Sequence, residues 1–447
     1  MGVAPLRAPT KSVAQQSNAG QLRWSHSVSK VSSWKALSHK GVGNGLNSVL
    51  VVSAPNPTAL WKQMGHLHYL KVPLRSLQTT VPQEEENKDK PTHNVGANRA
   101  IGIWLIICCG LIFIMVVLGG VTRLTESGLS ITDWRPVTGI IPPLNQQDWI
   151  EEFVKYKSSP EFKQLNAHME LEDFKQIFWM EWGHRFMGRF IGFAFGLPLT
   201  YFALKGHLNP SLKKSLVAFF FLGGMQGFIG WWMVKSGLEE GQDHPRVSQY
   251  RLALHLGSAF AIYLGLLWTG LGLLSPVTKV NALKGIPKTL KHGAHAIAGL
   301  TFLTAMSGAF VAGLDAGLLY PELPYMGNGL VPEEYWDLQP AYKNFFDNGS
   351  AVQFNHRVLA TTTWTSVFLF WLYGRRVIAA KALGGQDTTF LSRPLNSLFW
   401  MANLQVLLGI TTLMYYVPTH LAATHQAGSL TLLTIATWLM HRIKLLK

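Results

Sequence analysis

Hydrophobic residues in this chain come in long blocks, at about 100–121, 178–204, 214–234, 251–274, 292–313, 350–373, 395–416 and 419–441. A block of about 20 apolar residues suffices to cross a bilayer as a helix. Proline or polar residues interrupt some of them, which neighbouring helices can satisfy. The pattern therefore predicts an all-α, polytopic membrane protein with eight transmembrane helices. Between the first two blocks, "QQDWIEEFVKYK" (146–157) carries apolar residues at helical spacing. It predicts a short surface helix that covers the mouth of the bundle or, alternatively, docks a partner.

The connections alternate in charge. "LKGHLNPSLKK", "PVTKVNALKGIPKTLKH", "GRRVIAAKALGG" and the terminal "HRIKLLK" are basic, whereas the loops around 124–175, 236–249 and 314–349 are richer in acid. Positive residues mark the inner side, so the N-terminus, the basic loops and the C-terminus share one face. Eight crossings satisfy this; seven or nine would separate the termini.

Composition agrees with a membrane protein, with 48% hydrophobic and 14% charged residues. The formal charge of +15 is misleading for the whole, because residues 1–83 hold nine Lys or Arg and no Asp or Glu, leaving +6 for the remainder. Such a basic, Ser-rich, acid-free stretch resembles a mitochondrial transit peptide; a disordered basic tail that binds membrane or nucleic acid is the alternative. On the first reading the protein lies in the mitochondrial inner membrane with both mature termini in the matrix. Residues 84–99 form a charged linker. The two cysteines, Cys108 and Cys109, are adjacent within an apolar block and cannot pair with each other in one helix. Neither C-x-x-C nor C-x-x-C-H occurs, so zinc and covalently attached haem lack support.

The first four blocks resemble the last four. "GGVTRLTESGL" (119–129) aligns with "GAFVAGLDAGL" (308–318), "EWGHR" (181–185) with "QFNHR" (353–357), "QGFIG" (226–230) with "QVLLG" (405–409), and "LALHLGS" (252–258) with "LAATHQAGS" (421–429). His184 and His255 are 71 residues apart, and His356 and His425 are 69 apart. Each half thus places one histidine on its second span and one on its fourth, all entering from the acidic side. The halves have the same orientation, which makes them a parallel repeat about an axis along the membrane normal. The expected architecture is two pseudo-twofold-related four-helix bundles, at 100–274 and 292–441, joined by a loop at 275–291 and followed by a tail at 442–447.

Two inward imidazoles from facing helices suit a planar metal cofactor. Haem takes two axial histidines in an apolar slot, whereas zinc usually asks for further protein ligands. A single membrane histidine could simply bond a neighbouring helix; four in repeat register point to ligation. His292, His295, His420 and His441 lack matching partners and read as interfacial, and His168, His207 and His244 lie in loops. Arg185 and Arg357 follow matching histidines, while Arg246 and Arg251 sit in "HPRVSQYRLALH" and Arg123 ends the first span. Each could bind a haem propionate through paired hydrogen bonds or snorkel to lipid phosphate.

One position breaks the repeat. Glu181 precedes His184 by three residues, and its counterpart before His356 is Gln353. Residues three apart share a helix face, so the carboxylate is expected over the first haem site. It could accept protons or stabilise developing positive charge during oxidation; pairing with Arg185 or Arg189 is the structural alternative.

"GGVTRLTESGLSITDWRPVTGIIPP", "FWMEWGHRFMGR", "GWWMVKSGL", "PRVSQYRLALHLG" and "FNHR" resemble the mitochondrial haem A synthase family over about residues 98–442. The resemblance implies oxidation of the C8 methyl of haem O to a formyl group, giving haem A for cytochrome c oxidase. It implies a substrate-haem site on His184 and His255 and a resident haem b on His356 and His425, with Glu181 as the catalytic carboxylate. Ferredoxin and ferredoxin reductase are the expected electron donors, and haem O synthase, oxidase assembly factors and a second copy of the chain are further candidate partners. Bacterial relatives often carry a loop cysteine pair, which this chain lacks. Two other classes compete: a non-enzymatic dihaem b cytochrome, which leaves Glu181 against Gln353 unexplained, and a haem or solute transporter with exchangeable ligation.

Overall fold

The computed structural model describes residues 95–241, 244–275 and 285–446. The basic leader at 1–83, residues 84–94 of the expected linker and residues 276–284 of the loop lie outside the described residues; residues 95–99, expected as linker, are the start of the first helix. The chain from Glu86 onward forms one unit.

Among the described residues there are ten α-helices. Eight are long: α1 (Val95–Leu124), α4 (Leu171–Leu204), α5 (Pro210–Gly237), α6 (Gln249–Leu274), α7 (Lys288–Gly313), α8 (Gly349–Leu383), α9 (Thr389–Met414) and α10 (Thr419–Leu445). Two short ones, α2 (Gln146–Lys157) and α3 (Pro160–Gln164), lie in the connection after α1. The helix expected at 146–157 forms with those bounds, because Asn145 caps it by accepting from the Asp148 N–H, and Trp149, Phe153 and Tyr156 are buried.

α4 starts seven residues before the apolar block begins. Glu170 and Asp173 form a reciprocal capping box there. The extra turns carry Phe174 and Phe178 onto Trp149, Phe153 and Tyr156, a small aromatic core under the loop. His184 consequently lies deeper along its helix than the other three histidines lie along theirs, although its place in the apolar block is as expected.

Six of the eight long helices are long and apolar enough to cross a membrane: α1, α4, α5, α6, α7 and α9. α8 and α10 fall short on composition. In α10 the shortfall has a local cause. Thr431, Thr434 and Thr437 each donate their hydroxyl to the carbonyl four residues back, so their polarity is satisfied inside the helix. Their helix also packs against α1, α6, α7 and α9 and faces protein on most sides. Large apolar side chains point outward elsewhere, including Phe193, Leu197, Phe221 and Trp400, as lipid contact requires.

The helices close into two rings. α1 meets α4 and α6, and α5 meets α4 and α6; likewise α7 meets α8 and α10, and α9 meets α8 and α10. The rings join where α1 and α6 meet α10 and where α6 meets α7. Leu430 and Leu433 of α10 lie in the core of the first ring, and Tyr263 Oη and Thr434 Oγ1 bond across the junction at 2.9 Å. Backbone geometry repeats too: Glu126 and the aligned Asp315 both adopt φ 52° just past the ends of α1 and α7. Such a left-handed turn redirects the chain from helix to loop at the same point in each half.

Candidate haem sites

Each of the four aligned histidines lies against a glycine of a neighbouring helix. A Cβ at Gly119 of α1 would stand 2.8 Å from Cε1 of His184, and at Gly308 of α7 3.1 Å from Cε1 of His356. At Gly230 of α5 it would stand 3.2 Å from Cε1 of His255, and at Gly409 of α9 2.9 Å from Cε1 of His425. No side chain fits those spaces without moving the ring. The four glycines are themselves aligned between the halves, so the repeat duplicates a seat as well as a ligand. His184 of α4 and His255 of α6 belong to the first ring, and His356 of α8 and His425 of α10 to the second, so each ring carries one of the sequence pairs.

Behind the rings the halves differ. Ser307 Oγ lies 2.7 Å from Nδ1 of His356, and the Gln405 amide nitrogen 3.1 Å from Nδ1 of His425. The Nδ1 atoms of His184 and His255 are buried and unpartnered among the described residues. Sequence alignment pairs "QGFIG" with "QVLLG" but gives Gln405 no role, and it passes over Ser307. The signal was present: Ser307 precedes Gly308 where Leu118 precedes Gly119.

Glu181 is almost fully buried, and all its contacts are donors. Ser130 Oγ and the Ile131 N–H donate to Oε2 at 2.7 and 2.8 Å. Arg185 donates to Oε1 through Nε at 3.0 Å and Nη2 at 2.6 Å. Arg185 also reaches the carbonyls of Ile131 and Asp133, and Arg189 those of Arg135 and Pro136. These three α4 residues, spaced four apart on one face, clip the loop at 130–136 onto the helix. The second half has the same clip without the carboxylate: Gln353 and Arg357 both donate to the Tyr320 carbonyl, and Arg357 also to that of Tyr325.

A second buried carboxyl lies in the loop layer. Glu161 accepts from Tyr156 Oη at 3.0 Å. Burial, with the charges of Glu181 and Glu126, pushes its pKa up to about 8 despite the Tyr156 bond.

The other arginines are engaged within the protein. Arg246 donates to the Leu314 carbonyl, and Arg251 donates to the Trp232 carbonyl while stacking on that ring. Both line a polar cavity of about 390 Å³ together with Glu239 and His244. Arg123 donates twice to Asp315, at 2.8 Å each, across the two halves. Of the remaining histidines, His441 is buried edge-on against Trp268; His292, His295 and His420 are exposed. Cys108 and Cys109 are buried and unbridged.

The donor set fits haem. Among the described residues no three His, Cys, Asp or Glu side chains gather as a metal site; the imidazoles come in twos, which suits a metal that brings its own four equatorial nitrogens. The glycines keep helix backbone close beside each ring, as a flat macrocycle between helices requires.

The comparisons with known proteins agree over most of the chain. Residues 102–437 match the family described as cytochrome oxidase assembly protein, COX15-CtaA. The chain is 48% identical to "Heme A synthase COX15" of Bos taurus over 351 residues, covering 78% of this chain and 83% of that protein. It is 45% identical to "Heme A synthase" of Nitrosospira multiformis over 366 residues, 82% of this chain and 98% of that protein. It is also 42% identical, over 77% of its length, to the "Heme A synthase-mitochondrial ferredoxin fusion protein" of Schizosaccharomyces pombe, of which the match covers 60%. With its duplicated histidine seats and a match reaching from the first long helix to the last, the chain belongs to the COX15-CtaA family of cytochrome oxidase assembly proteins.

Proposed function

We propose that this protein oxidises the C8 methyl of haem O to a formyl group, producing haem A for cytochrome c oxidase. The observation that carries this reading is the set of four histidine seats, two per ring, in a chain whose relatives bear the name haem A synthase. Converting a methyl to a formyl group removes four electrons and adds one oxygen atom, so the chemistry needs an electron acceptor and places for protons. Haem iron supplies redox chemistry that side chains cannot.

His184 and His255 hold the substrate haem, and His356 and His425 a resident haem b. The two four-helix units at 100–274 and 292–441 divide these tasks. All eight long helices span the mitochondrial inner membrane, with both mature termini in the matrix. A substrate with an isoprenoid tail reaches such a site through lipid. Glu181 is the proton-handling group: a proton delivered to Oε1 or Oε2 displaces one of its four donors. Loosening the 130–136 loop frees it. Arg357, whose hydrogen bonds among the described residues go to backbone carbonyls, suits a propionate better than Arg185, whose charge is met by Glu181 at 2.6 Å. Arg246 and Arg251 offer the same chemistry at their cavity. A ferredoxin with its reductase is the electron donor, distinct from the acceptor of the methyl's electrons; the fused relative supports this.

The test is Glu181→Gln, produced in cells that lack the native protein, with extracted haems separated by chromatography. Accumulated haem O or a hydroxylated intermediate is expected. Normal haem A would remove Glu181 from the chemistry, and normal haem A in His184→Ala as well would remove the substrate site.

A further inference from the structure

The two histidine pairs differ in what stands behind them, and the difference has a physical direction. Ser307 Oγ donates to the Thr304 carbonyl at 2.7 Å. Its only proton is spent there, so toward His356 it accepts, and Nδ1 of His356 carries the hydrogen. That tautomer leaves the Nε2 lone pair for iron.

Gln405 meets His425 at Nδ1 and at the backbone carbonyl, 3.1 and 2.9 Å from the same amide nitrogen, while its Oε1 is buried without a partner. Iron on Nε2 requires the hydrogen on Nδ1. Loading the site therefore needs this amide to turn and to swing off the His425 carbonyl, so that Oε1, and not the amide nitrogen, meets Nδ1–H.

In the first half both devices are missing for identifiable reasons. Leu118 occupies the place of Ser307. Gln226 matches Gln405, but Ser258 stands where the second half has Gly428, three residues past the histidine, and its Oγ takes the Gln226 amide at 2.7 Å. Gly428 leaves that space to Gln405, whose Oε1 a Cβ would strike. Nδ1 of His184 and of His255 is left buried with no acceptor among the described residues.

A hydrogen bond behind a ligating imidazole fixes the ring and makes it a stronger donor to the metal, and losing it typically costs about 10–100-fold in metal affinity. We propose that Ser307 and Gln405 are positioning residues that make the second pair a permanent haem clamp. Leu118 and Ser258 leave the first pair loosely held, so that a haem can enter as substrate and leave as product. This rests on the two-site haem reading above, and it names what separates the retained group from the exchanged one.

The experiment measures haem transfer from the purified full-length protein in detergent to excess apomyoglobin, together with the midpoint potential of the bound haem. Ser307→Ala and Gln405→Leu should each speed loss of the retained haem about 10–100-fold and raise its potential, since a weaker donor ligand stabilises ferric iron less. Ser307→Thr, which keeps the hydroxyl, should restore both values. In the other direction, Leu118→Ser combined with Ser258→Gly should slow release of haem from the first site. Unchanged transfer rates and potential in Ser307→Ala and Gln405→Leu would overturn the proposal. If either variant fails to fold, the first-half double variant decides: unchanged release there overturns it. His356→Ala separates the two levels. Its full haem complement would defeat the two-site reading, whereas haem loss there beside an unaltered Ser307→Ala defeats only the clamp.

Discussion

The ring of His184 lies directly on the backbone of Gly119, so close that a methyl group at that glycine would stand 2.8 Å from Cε1. Gly119→Ala must therefore swing the imidazole or part α1 from α4. Overpacking of this kind costs about 1–3 kcal/mol. Because the ring sits at the ligand position, the larger loss is expected in binding: haem titration of the purified variant should show the first site weakened, with the second intact. Gly409→Ala, at 2.9 Å from His425, should do the reverse and strip the retained haem.

Arg185 and Glu181 test whether the loop clip and the chemistry can be separated. Arg185→Met strands an almost fully buried carboxylate, and breaking a buried pair from one side costs about 3–5 kcal/mol. Arg185→Met combined with Glu181→Gln removes both charges and should recover most of the thermal stability, measured in detergent, without recovering haem A formation.

Glu161 predicts a pH effect in the loop layer. Its folded-state pKa of about 8 lies above the ordinary 4.5. The folded form therefore holds a proton that the unfolded form releases, and stability falls as pH rises from 4.5 through about 8. Hydrogen exchange over residues 146–178 should be slower at pH 5 than at pH 8 after correction for intrinsic rates, and Glu161→Gln should flatten that difference.

Asp315→Asn should matter little to stability. The Arg123–Asp315 pair has good geometry, but its carboxylate side chain is 44% exposed. Exposed pairs contribute about 0–1 kcal/mol, so a thermal shift of more than a few degrees would show that the contact between halves does more than this.

The repeat, the four histidines and the surface helix at 146–157 are all legible in the sequence because each rests on local spacing. The rest needed long-range contacts. The early start of α4 depends on Phe174 and Phe178 finding α2 across the loop. Glu181 is conspicuous in the sequence, yet its partners Ser130 and Ile131 lie some 50 positions away, and nothing local marks them. α8 and α10 look apolar to the eye but fall short by composition; in α10 the threonines hide their polarity in backbone bonds. Ser307 and Gln405 are ordinary residues until the helices beside them are in place.

One junction ties the halves more closely than a duplicated sequence suggests. Next to His425, Gln426 donates to the Val116 carbonyl at 3.1 Å and presses on Gly120, the immediate neighbour of the glycine that seats His184. Gln426, the neighbour of His425, thus abuts Gly120, the neighbour of the glycine against which His184 lies. The link runs from the Gln426 side chain to the α1 backbone. Gln426→Ala should therefore loosen the packing beside the His184 seat as well as the helix that carries His425, which a haem titration of both sites would show.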